Sequence, residues 1–317
     1  MSNAHFKILR EGVNTTIQDS GRKHLYDIGI TVSGAMDQRN FMLANRIVNN
    51  DLEEAVIEFA YQGPLLKLKD GKINFVITGD VSFNIIRKNS EIEVGKCYQN
   101  YIIHDKEQID IISTKKSVYG YLSIKGGFKL EKVWKSYSIN TKAKIGPNDG
   151  RKFSANEKIF FKEKLIKKNI DRKIEYKNSF DGIIRVIKGT NFNYFSDEAK
   201  KIFFKEEYSV TRLADRMGMR LDGAYLQNNI NTNIKSEGLI RGVIQVPADG
   251  KPIILLSDHG TIGGYPKIAV VISADLDKVA QLTPGTKIKF KEVSLEQAEN
   301  IFKAYTEDTN KYINECN

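Results

Sequence analysis

Ten short runs of β-type residues punctuate the chain: VIEF (56–59), LLKLK (65–69), INFVIT (73–78), IDIIS (109–113), VYGYLSI (118–124), IIRVI (183–187), VIQV (243–246), PIILL (252–256), IAVVIS (268–273) and TKIKF (286–290). Gly, Pro, Asp or Asn bounds most of them, which marks strands separated by tight turns. So many short strands favour barrels or sandwiches over a doubly wound sheet. Helices are few. Phe41, Ala44, Ile47 and Val48 recur at helical spacing and predict a helix over 38–49. A second is expected over 195–204 with Ser196 as its N-cap. At the C-terminus Ser294 and Gln297 form a capping-box pattern, and Leu295, Ala298, Ile301, Phe302 and Tyr305 make one apolar face. The expected class is mainly β, with a C-terminal helix docked on a barrel.

A length of 317 residues suits two compact units. The charged stretch 162–177 has no apolar period and precedes a fresh strand, so the expected organisation is an N-terminal lobe over 5–175, a C-terminal lobe over 176–292, and a helix and tail over 293–317. No apolar run is long enough to cross a bilayer, and the N-terminus lacks the basic-then-apolar order of a secretory signal; a cytoplasmic protein is expected, with no membrane association. Cys97 and Cys316 belong to no CxxC pair and are read as free thiols. The net charge of +10 favours an anionic ligand or partner. Because the lysines are interleaved with acids and no basic helix carries base-reading residues, nucleic acid is not the expected partner.

The chemistry-bearing residues fall in three clusters. No GxxxxGK[ST], GxSxG or HExxH motif occurs, and four scattered histidines do not suggest a metal centre. The first cluster, Thr15 to Asp37, holds Gln18, Asp19, Arg22, Ser33 and Asp37 in Gly-punctuated loops. Arg22 either clamps a carboxylate or phosphate or pairs with Asp19; Ser33 or Asp37 either caps the first helix or helps hold an anion. The second, ADRMGMRLDG, holds Asp215, Arg216 and Arg220, as a salt bridge of Asp215 with an arginine or as a substrate contact. The third, Ser236 to Lys267, gathers Glu237, Arg241, Gln245, Asp258, His259, Thr261, Tyr265 and Lys267 at the ends of apolar runs. Gly263 and Gly264 permit close backbone approach there, and Ala248-Asp249-Gly250 reads as a hairpin turn.

The ordered series IQDSGR, SGAMD, LANRIVNN, VIEFAYQGP, DRMGMRL, SEGLIRGVIQVPADGKPIILLSDHGTIGGYPKIAVVISADL and AQLTPG resembles the biotin-dependent carboxyltransferase family, also called allophanate hydrolase subunit 2. Its members include the C-type subunit of bacterial 5-oxoprolinase, Kip-type sporulation regulators and the carboxyltransferase portion of urea carboxylase. The resemblance covers about residues 6–292 and implies two cyclophilin-like β-barrel lobes. It also implies a hydrolase subunit working with a B-type cyclophilin-like subunit and an A-type LamB/YcsF subunit to open 5-oxoproline to glutamate with ATP. The alternatives are transfer of a carboxyl group from biotin, carried on another chain, to urea or another amide, and a non-enzymatic regulator of a kinase-inhibitor protein.

By the same resemblance the Asp258 to Lys267 loop is the rim of a substrate cleft. Residue type and loop position make Glu237, Asp258 and Lys267 the catalytic candidates. Gln18, Arg22, Ser33, Asp37, Arg220, Gln245, Thr261, Gly263, Gly264 and Tyr265 are the substrate-binding candidates, and no metal is expected. The sequence departs from the family pattern at Gly260 and Ile262, where Gln and Thr are usual, across Lys135 to Ile139, in GPNDGR (146–151), and after Gly79. Such departures fit a divergent paralogue with an altered substrate or a catalytically weak partner subunit.

Overall fold

The structure, a computed structural model, describes residues 4–162, 172–176, 179–228 and 233–316. Most of the charged stretch expected to separate the lobes lies outside these residues. The fold is mainly β, as the strand density predicts, with four α-helices among the described residues, α1 (Gln38–Ile47), α2 (Asp197–Lys205), α3 (Leu276–Ala280) and α4 (Leu295–Glu315). The chain forms two compact units. One comprises 1–22, 33–177 and 309–317, the other 23–32 and 178–308.

The first unit contains two antiparallel sheets. One runs Lys158–Phe160, His5–Arg10, Leu65–Lys69, Gln108–Thr114, Val81–Ile86, Ile92–Val94; the other runs Thr16–Gln18, Val56–Ala60, Tyr119–Ile124, Lys72–Thr78, Tyr101–His104. LLKLK and VSFNII alternate buried and half-buried positions, as strands with one face on a core do. YGYLSI is buried throughout, because α1 packs on this strand and on Lys72–Thr78 and covers their second face. Phe6, Phe59, Phe75, Phe83 and Phe128 fill the core. Asp37 starts α1 by accepting the Asn40 amide at 2.9 Å, a cap that stabilises a helix by about 1 kcal/mol.

The second unit is a closed seven-stranded barrel in the order Ile183–Lys188, Lys267–Val271, Val243–Gln245, Ile253–Leu255, Gly218–Asp222, Tyr208–Ala214, Lys287–Glu292. Closure is a parallel pairing of the first and last of these strands, Ile184 opposite Phe290. Full closure leaves the barrel no open edge. Ser196 caps α2 through the Ala199 amide at 3.0 Å, and Phe203 from that helix stacks on Phe290 at 4.5 Å between centroids. The turn at 248–250 forms as expected: the Gly250 amide donates to Pro247 O at 3.0 Å and Gly250 has φ +65°.

Two boundaries differ from those expected. Residues 23–32 count with the second unit because Tyr26 Oη donates to Leu239 O at 2.6 Å and Thr31 Oγ1 to Ser257 O at 3.3 Å. The C-terminal tail is not separate either. Helix α4 opens with the reciprocal capping box, Gln297 N to Ser294 Oγ and Ser294 N to Gln297 Oε1, and Tyr305 Oη donates to Asp277. From residue 309 it counts with the first unit, where Ile313 is buried and its carbonyl accepts from Arg46 Nε at 2.8 Å. The expected apolar face is only partly covered, for Leu295 and Phe302 are exposed.

Candidate functional site

In the first unit Asp19 is the hub of the first sequence cluster. Its carboxylate accepts from Gly21 N (2.8 Å), Ser136 Oγ (2.7 Å), Ser138 Oγ (2.6 Å) and Tyr137 N (2.6 Å). Arg22 donates to Ser138 O, and Gln18 Nε2 donates to Ile139 O at 2.9 Å, so three neighbouring side chains fasten one segment, 136–139. Gly34, at φ +84°, lets the chain pass close by; a Cβ there would lie 3.1 Å from Gly21 N. Ser33 Oγ accepts from Asn140 Nδ2 at 3.3 Å. Asp37 is the helix cap foreseen as one alternative, and it also accepts Asn40 Nδ2 at 2.6 Å. Behind it, the Tyr121 hydroxyl accepts the Asp37 amide at 2.8 Å. Burial, with the charges of Glu58 and Asp37, raises the pKa of this phenol well above its ordinary value. Gln18, Arg22, Ser33 and Asp37 are all buried and engaged with the protein's own backbone and side chains.

In the second unit a polar group forms where the Lys267–Val271 strand starts. Lys267 is 4% exposed, and its ammonium lies 2.6 Å from Glu237 Oε2, whose side chain is 41% exposed. Asn191 ties the two together: its Oδ1 accepts the Lys267 amide at 3.1 Å and its Nδ2 reaches Glu237 Oε1 at 3.5 Å. The bond to Lys267 lowers the Glu237 pKa, so this accessible group is a carboxylate at neutral pH. Two ladders bring the rest in, pairing Gln245 with Lys267 and Glu237 with Gly263. Gly263 packs close to two side chains: a Cβ there would lie 2.7 Å from Leu239 Cδ1 and 3.0 Å from Gln245 Nε2, so both tips would have to move. Gln245 Nε2 donates to Tyr265 O at 3.4 Å, while the Tyr265 ring is exposed; Thr261 and Gly264 are half-buried on the same loop.

Two expected members of this group are engaged elsewhere. Asp258, a catalytic candidate from the sequence, is buried in a bidentate pair with Arg216, Oδ2 to Nε at 2.8 Å and Oδ1 to NH2 at 3.0 Å. Both charges are shut from water, so the pair clamps the two segments that carry it. Arg220 lies on the Gly218–Asp222 strand and pairs with Asp249 of the 248–250 turn. Asp215 Oδ1 accepts the amides of Met217 and Gly218.

Asn191 and Tyr26 were missed from the sequence. Tyr26 Oη lies 3.1 Å from His259 Nε2, and His259 Nδ1 lies 2.6 Å from Gly260 O. A carbonyl only accepts, so Nδ1 carries the proton and Nε2 faces the Tyr26 hydroxyl. Burial raises the Tyr26 pKa to about 12. Among the described residues no group of His, Cys, Asp and Glu is arranged to hold a metal ion.

The family model described as carboxyltransferase domain, subdomain A and B, matches residues 28–292. The chain belongs to that family. This carboxyltransferase-domain protein is 31% identical over 285 residues to the C-type subunit of 5-oxoprolinase from Haemophilus influenzae, covering 89% of each chain. It is 28% identical over 320 residues to the urea amidolyase of Saccharomyces cerevisiae, covering 93% of this chain and 17% of that protein. Its fold matches the crystal structure of the Kluyveromyces lactis urea carboxylase with a TM-score of 0.88 at 24% identity, over 98% of this chain and 29% of that one. Among the described residues no helix is long and apolar enough to cross a membrane.

Proposed function

We propose that this protein is the C-type subunit of an ATP-dependent 5-oxoprolinase acting in the cytoplasm with a B-type cyclophilin-like and an A-type LamB/YcsF subunit. What carries the reading is similarity to the C-type subunit of a 5-oxoprolinase over nearly the whole of both chains, with the Glu237–Lys267–Asn191 group at a strand end. Opening a lactam places negative charge on the former carbonyl oxygen, and a preformed cation in a dry site stabilises it without reorganisation. Lys267 is such a cation, buried with its ammonium against the accessible Glu237 carboxylate. Glu237, held as a carboxylate by Lys267 and accessible to solvent, orients the attacking water by accepting its hydrogen bond. Thr261, Gly263, Gly264 and Tyr265 lie on the adjoining loop, with Gln245 bonded to it from the neighbouring strand, and main-chain groups there can orient a small carboxylate-bearing amide. ATP, when bound, supplies the phosphoryl group that activates the amide oxygen.

The test is glutamate and ADP release from 5-oxoproline and ATP by the assembly of all three proteins, each omitted in turn. Activity is expected only when all three are present. Lys267→Met and Glu237→Gln should each lower turnover by about 100-fold or more while leaving assembly intact. An assembled complex that releases no glutamate overturns the reading. The family assignment and the yeast relative favour one second reading, carboxyl transfer from biotin on another chain to an amide. Transfer of label from a carboxybiotin carrier to urea in the presence of this chain would select it.

A further inference from the structure

The segment 129–152 carries seven exposed lysines and arginines against two acids, a net +5 in a chain whose total is +10. Its first tight turn is closed by Val133 N to Ser136 O at 2.9 Å and Ser136 N to Val133 O at 3.3 Å. The two residues at its tip, Trp134 and Lys135, have φ +49° and +63°. That geometry ordinarily selects Gly or Asn; a tryptophan and a lysine are strained in it. The strain is held from below, because the buried Asp19 carboxylate grips Ser136 Oγ, Tyr137 N and Ser138 Oγ. Outlying backbone maintained by its surroundings marks a candidate functional element. Here it displays the chain's single tryptophan, 51% exposed, between Lys132 and Lys135.

We propose that the Trp134–Lys135 turn anchors a partner protein whose contacting face is acidic and holds an apolar pocket for the indole. The inference rests on the 5-oxoprolinase reading above. A rigid projecting aromatic supplies large contact area with little entropy to lose, and surrounding lysines steer a partner of opposite sign. The surplus of charge continues past this turn to a second one, closed by Asn140 N to Ile145 O at 2.8 Å, so its complement is an extended surface rather than one small anion. A related chain that is named as a subunit makes another protein the fitting occupant.

Because the chain has a single tryptophan, full-length protein labelled with 5-fluorotryptophan gives one fluorine resonance that reports Trp134 alone. Unlabelled A-type and B-type subunits are added separately and together, with assembly followed by light scattering. The resonance is expected to shift or broaden as a complex forms. Trp134→Ala should weaken association at least about tenfold. Lys135→Gly relieves strain and so preserves folding, yet should weaken association about tenfold at low salt, with the difference closing at high salt. The proposal is overturned by a complex that leaves the resonance unmoved, by no association with either partner, or by a saturable shift with a dT oligonucleotide alone. Glutamate release is scored on the same samples: a moved resonance without turnover defeats the 5-oxoprolinase reading only, and turnover with an unmoved resonance defeats the anchor only.

Discussion

At the scale of single residues, His259 links the second unit to pH. Burial lowers its pKa below the ordinary value, the Gly260 carbonyl opposes that shift, and the Arg241 charge reinforces it. Tyr26 across from it, with its pKa near 12, stays neutral throughout the range in which histidine titrates. A lowered folded-state pKa means that, as pH falls below about 6.5, the unfolded chain takes up a proton that the folded chain resists, so stability present above that pH is lost below it. The melting temperature should therefore fall between pH 7.5 and 5.5, and His259→Gln, which keeps a donor for the Gly260 carbonyl, should flatten that fall. An equally steep profile in the variant would show that other groups carry the acid sensitivity. Glu237, held low by Lys267, adds to the loss only at more acidic pH.

At the scale of elements, the Arg216–Asp258 clamp fixes the start of the 258–267 loop against the turn joining the Tyr208–Ala214 and Gly218–Asp222 strands, since the Asp258 amide also donates to Arg216 O at 2.7 Å. Asp258→Asn leaves a buried guanidinium without its counter-charge and should cost about 3–5 kcal/mol in urea unfolding. A loss below about 1 kcal/mol would mean that water reaches the pair. The sequence displayed the loop but not the clamp, and the reason is general. All ten apolar runs became strands because a short apolar run bounded by turn residues is a local signal, whereas the 208–222 hairpin escaped notice because DRMGMRLDG is too polar to read as strand. Glu237 and Lys267 were legible as charged residues at strand ends. Asn191 and Tyr26 were not, for only tertiary packing brings them to residues 46 to 233 positions away.

At the scale of the whole molecule, chain order and packing diverge at the C-terminus. Sequence periodicity foretold α4 and its cap, but periodicity says nothing of which core a long helix serves, and its last turns count with the first unit. There Thr309, Ile313 and Cys316 are buried, Tyr312 meets Tyr176 edge-on at 5.2 Å, and Arg46 holds the Ile313 carbonyl. Burying an isoleucine side chain contributes about 1.5–3 kcal/mol, so ending the chain after residue 308 should destabilise the first unit by at least that much. Trp134 lies in the same unit and is the chain's single tryptophan, so its fluorescence isolates that unit's urea transition. The truncated chain should unfold at lower urea by this probe, and full-length Ile313→Ala should reproduce most of the shift, about 2–4 kcal/mol. A midpoint unchanged in both would show that the tail adds nothing to the first unit's stability, and would restore the separate tail expected from sequence order.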